Sequence, residues 1–145
     1  MALQARRFYP FVMALALSGC MESVGNRVLM GEQRPEIDPT QVVLYAFPPA
    51  NYEVVAMVSS RSLVYRTEQE KIDMALAKLK QQAAEIGANG IVLLMRSGEI
   101  PNWKPGTLVT ADNIGDFAED REHDVLFSGE AIYVPAPQAS ATPQH

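Results

Sequence analysis

Few residues of this 145-residue chain have side chains suited to covalent or metal chemistry. They are one cysteine, Cys20, two histidines, His123 and His145, and a run of carboxylates around His123. The run comprises Asp112, Asp116, Glu119, Asp120, Glu122 and Asp124. Carboxylates so grouped can hold a divalent cation, and on that reading Asp120, His123 and Asp124 are the ligands. The spacing matches no calcium-loop pattern and lacks the glycine that turns such a loop, so a solvated acidic loop is the simpler reading. Nucleophilic catalysis finds no support. Ser59, Ser60 and Ser62 border a strand-like run, but no G-x-S-x-G elbow is present, and His123 is the sole credible base. Ser59-Ser60-Arg61-Ser62 reads as a loop into a helix. Gly87-Ala88-Asn89-Gly90 follows a helix rather than opening one, which puts the amides that bind phosphate at the wrong end. No cofactor and no enzymatic activity are expected.

A small set of elements must position these residues. Thr67-Glu68-Gln69-Glu70 fits a capping box, in which Thr67 accepts from the Glu70 amide while Glu70 reaches back. Ile72, Ala75, Leu76, Leu79, Ala83 and Ile86 follow at helical spacing, and Gly87 stands where a left-handed C′ residue is wanted. Four runs rich in β-branched and aromatic residues read as strands: 42–47, 52–58, 91–95 and 130–134. The expected fold is α+β, a small mixed sheet of about four strands in the order β-β-α-β-β with one helix on one face. The strands do not alternate cleanly, however. Val54, Ala56 and Val58 point one way, Val55 and Met57 the other, and 91–95 is apolar throughout. Both sheet faces should then be covered, by the long 96–127 segment, by a second copy, or by a partner. Val55 and Met57 are therefore candidate partner-binding residues. So is Trp103, a lone large aromatic between Pro101 and Pro105, which either packs on the sheet or anchors a partner.

The N-terminus reads as an export signal. Arg6 and Arg7 precede an apolar stretch from Phe11 to Leu17, which falls short of the roughly 18–20 residues needed to span a bilayer. Leu17-Ser18-Gly19-Cys20 resembles the bacterial lipobox at all four positions. The resemblance implies cleavage before Cys20, a diacylglyceryl thioether on its sulfur, and acylation of the new amine. Two or three acyl chains on one residue hold a protein at a membrane durably, where one chain does so only marginally. Met21 follows Cys20, where inner-membrane retention signals of this class often carry Asp, so the outer membrane, on its periplasmic face, is the expected location. Loss of Arg6 and Arg7 moves the formal net charge from −5 to −7, which argues against nucleic acid as a partner. Lipidation would consume the only thiol and leave no disulfide. The expected division is a signal peptide over 1–19, a flexible tether over 20–40, an α+β domain over 41–134, and a disordered tail over 135–145, where no large apolar residue occurs.

From Tyr52 to Val134 the chain is similar to the small α+β domain of YbjQ-type proteins and RcsF-type outer-membrane lipoproteins. The resemblance rests on Gly87-Ala88-Asn89-Gly90-Ile91-Val92, on the closing Gly129-Glu130-Ala131-Ile132-Tyr133, and on element order. RcsF-type domains carry paired cysteines that this chain lacks, so their disulfides do not transfer. The resemblance implies a binding or envelope-sensing module that acts on an envelope protein or on itself, rather than an enzyme.

Overall fold

A computed structural model of the chain describes residues 23–62, 67–97, 102–121 and 124–136. Its single α-helix among these, α1 (Glu68–Ala84), begins and ends where local chemistry dictates. Glu70 N–H donates to Thr67 Oγ1 at 3.4 Å, and Thr67 N–H donates to the Glu70 carboxylate at 3.1 Å. At the other end Gly87 takes φ 71°, a left-handed conformation that costs glycine little. Gly87 and Ala88 N–H groups donate to the Ala84 and Ala83 carbonyls, both at 3.0 Å. That is a Schellman closure. Ala75, Leu79 and Ala83 are buried against the sheet, together with Ile86 beyond the helix end.

The sheet is mixed and holds six strands: β1 (Ser23–Leu29), β2 (Val43–Tyr45), β3 (Glu53–Ser62), β4 (Gly90–Leu93), β5 (Glu119–Arg121) and β6 (Asp124–Tyr133). Five lie in the order β1-β3-β6-β4-β2, and β5 pairs with β6. β6 is antiparallel to β3, β4 and β5, and β2 is parallel to β4. The α+β class and the one-helix layer are as expected, with two further strands. β6 starts six residues earlier than the expected 130, and β3 runs on to Ser62, so Ser59, Ser60 and Ser62 are strand residues rather than a loop. Beneath α1 lie Val58, Ile91, Val125 and Phe127, which meet Leu79 of the helix; all five are essentially inaccessible. Burying side chains of this size contributes about 1.5–3 kcal/mol each.

The largest correction concerns residues 20–40. From Ser23 onward this segment is no tether. β1 pairs with β3 over seven rungs, from Ser23↔Ser62 to Leu29↔Ala56. Residues 30–41 then cross the helix end. Arg34 N–H donates to the Ile86 carbonyl at 3.0 Å and Ile37 N–H to the Ala84 carbonyl at 3.1 Å, which satisfies carbonyls a helix C-terminus leaves open. Arg34 also stacks on Tyr133, 3.9 Å from its ring centroid, and pairs with Glu53. The signal region 1–19 and the tail beyond Ala136 lie outside the described residues.

Candidate functional site

Cys20, with Leu17, Ser18 and Gly19 before it, lies outside the described residues. The structure nonetheless brings folded chain close to Cys20, because only Met21 and Glu22 separate it from Ser23, which is already paired with Ser62. No helix among the described residues is long and apolar enough to cross a membrane.

The sheet face away from α1 carries no helix among the described residues. Register assigns its members. Ser60 Oγ donates to the Ala75 carbonyl at 2.6 Å, so even-numbered positions from Ala56 to Ser62 face the helix. Met57, Ser59 and Arg61 therefore face outward, level with Val28, Asn26 and Val24 on β1 and with Glu130, Ser128 and Leu126 on β6. Val24 and Val28 are exposed, as is Leu94 just past β4, and Met57 is half-buried between Val28 and Glu130. This surface mixes apolar and polar side chains, as a solvated or lightly partnered face does. At its far end Tyr45 closes it over. A Cβ on Gly90 would come within 2.8 Å of Tyr45 Cε2 and 3.1 Å of Ile132 Cγ1, so both side chains converge above that glycine and Ile132 is fully buried.

Val55 is not on this face. The register with β6 slips between Val54↔Ile132 and Ala56↔Ala131, and the bulge turns Val55 into the core, where it is fully buried. As a partner-binding residue Val55 is ruled out by burial; Met57 remains accessible. Trp103 is half-buried, with its ring centroid 5.9 Å from that of buried Phe117 at an interplanar angle of 35°. It packs against the core rather than standing free as an anchor.

The described part of the 96–127 segment touches both sides of the sheet. Val109 and Ile114 pack beside Ile72, Leu76 and Leu44 on the helix side. Its Thr107–Val109 stretch runs along the outer edge of β2: Ala46 N–H donates to the Thr107 carbonyl at 2.8 Å, Val109 N–H donates to the Leu44 carbonyl at 3.0 Å, and Tyr45 bridges to Leu108. Where β4 and β5 leave a gap along β6, a shallow cleft of about 420 Å³ opens on the outer face, walled by Leu94, Phe117 and Leu126 with Arg96 and Glu119.

Among the described residues the acidic run is dispersed: Asp112 lies in a turn, Asp116 in a 3-10 turn, Glu119 and Asp120 on β5 and Asp124 on β6. Asp124 is nearly buried and pairs with Arg61 at 3.7 Å, while Asp120 stands opposite Val125, on a different rung. His123 lies outside the described residues, and among those described no three potential ligands gather. The Asp38 carboxyl is held below its ordinary value near 3.8, because the Thr40 hydroxyl and then the Thr40 N–H donate to it, at 2.6 and 2.8 Å.

A buried polar group escaped the sequence reading. Ser60, Ser62 and Gln82 lie between α1 and the sheet. Gln82 Nε2 donates to the Ser59 carbonyl at 3.2 Å, and among the described residues Ser62 Oγ and Gln82 Oε1 have no partner. The signal available was Gly25. A Cβ there would lie 1.5 Å from Gln82 Nε2, so only glycine lets the amide through.

No family model matches the chain, and no curated protein matches it. Among solved structures, the crystal structure of the Francisella virulence factor FvfA in its orthorhombic form is similar with a TM-score of 0.47 and 19% identity, covering 76% of this chain and 97% of that one.

Proposed function

We propose that this chain is an acylated lipoprotein of the outer membrane, facing the periplasm, whose folded domain works by protein contact rather than by catalysis. The observation that carries the reading is linear. Two arginines, a short apolar stretch and Leu17-Ser18-Gly19-Cys20 follow one another in the order an exporting and acylating machinery requires. The domain's own features are compatible with a contact role. Ser60 and Ser62 are closed off beneath α1, out of a substrate's reach. The accessible surface instead presents Met57 and Leu126 beside Ser59 and Ser128, a mixed face of the kind that partner proteins use.

Expression of the full chain in a bacterial host with an outer membrane tests the anchor. Mass spectrometry of the membrane fraction is expected to find a polypeptide that begins at Cys20 and carries acyl mass. Cys20→Ser should leave the precursor uncut. A free thiol at position 20, or a retained leader, would overturn the reading. For the contact role, a photo-crosslinking residue at Met57 should capture one envelope protein, or a second copy of the chain, in intact cells. A crosslinker at Val55 should capture nothing.

A further inference from the structure

We propose that the edge strand β1 lies on the surface of the bilayer that holds the Cys20 acyl chains, with its exposed apolar side chains in the headgroup boundary. This rests on acylation at Cys20 as proposed above. Three peptide steps separate Cys20 from Ser23, and a fully extended chain spans at most about 3.6 Å per residue. The start of β1 therefore stays within roughly 11 Å of the acylated residue. A domain so held cannot swing free on a tether, because Ser23 is already fixed to Ser62 and Leu29 to Ala56.

What the strand presents there suits a lipid boundary. Val24 is 48% exposed, Val28 59%, Leu29 52% and Met30 65%; half of the large apolar side chains that the described residues expose thus fall within seven positions. Apolar groups at a membrane surface gain by entering the headgroup and acyl boundary. The one charged residue of β1, Arg27, pairs with Glu85 at 3.0 Å. The two edges of the sheet differ in a way that matters. Thr107–Val109 run along the outer side of β2, whereas β1 ends the strand order with no strand beside it among the described residues. A backbone edge left unpaired cannot enter hydrocarbon, where each polar group would go unsatisfied. That sets the depth: side chains dip into the boundary while the strand's amides and carbonyls remain among hydrated headgroups. The outer face from Met57 across to Leu94 then rises away from the membrane and stays open to a partner.

The test couples the mature chain, through its Cys20 thiol, to vesicles of phosphatidylethanolamine and phosphatidylglycerol that carry a maleimide lipid. A photo-crosslinking residue replaces Val28 in one preparation and Leu108, at the opposite edge of the sheet, in another. Position 28 is expected to give severalfold more lipid adduct than position 108. Equal yields at the two positions would overturn the proposal. So would adducts from 28 to a second copy of the chain, which would make β1 a strand-pairing edge. Because the lipid is attached chemically, this outcome reports on β1 alone, while mass spectrometry of native material reports separately on acylation.

Discussion

Gly25 has no side chain because the Gln82 amide occupies the space where its Cβ would be. Gly25→Ala must expel that amide, and with it the hydrogen bond to the Ser59 carbonyl. The expected cost is about 1–3 kcal/mol, read as a lower urea midpoint at unchanged slope. In a Gln82→Ala background the same substitution should cost markedly less; an equal cost would mean that Gln82 is not the obstacle. A second residue-scale outcome concerns acid. The Asp38 carboxyl is held down first by the Thr40 hydroxyl and then by the Thr40 amide. A carboxyl depressed on folding contributes stability above its unfolded pKa and loses it as pH falls through the folded value. Carbon NMR should therefore show Asp38 titrating below 3.8, and Thr40→Val should raise its midpoint.

Among the elements, β3 separates two neighbours that composition alone treats alike. The bulge buries Val55 and leaves Met57 half-exposed. Val55→Ala is expected to cost about 2 kcal/mol and Met57→Ala less than about 1, by chemical denaturation; equal costs would put the bulge in the wrong place. Alternation is a period-two signal, and one inserted residue reverses it, so Val55 was not readable as core from its spacing. The early part of β6 was readable in principle. Val125, Phe127 and Ala131 alternate with Leu126, Ser128 and Glu130, and Asp124 and Gly129 hid a pattern that the pairing with β3 makes plain. The helix was fully legible, because its stripe, its capping box and Gly87 all act within a few residues of one another.

For the whole molecule, the decisive question is where folding begins along the chain. A mature chain that starts at Gly31 lacks β1, and with it seven rungs of pairing and the cover over Gln82. Against a chain that starts at Ser23, its stability should fall by several kcal/mol, a large part of what a domain of this size has. The measurement is the thermal midpoint and near-ultraviolet circular dichroism of the two chains. Indistinguishable melts would restore the tether. Sequence by itself determined the α+β class and the helix with both its ends, because the signals for them depend on neighbours in the chain. Only the tertiary structure decided that Ser23–Leu29 is a strand, that Val55 is core and that Trp103 leans on Phe117. The physical reason is distance along the chain: Ser23 meets Ser62, and Gly25 and Asn26 look like turn residues until the glutamine 57 positions after Gly25 is seen to need the space.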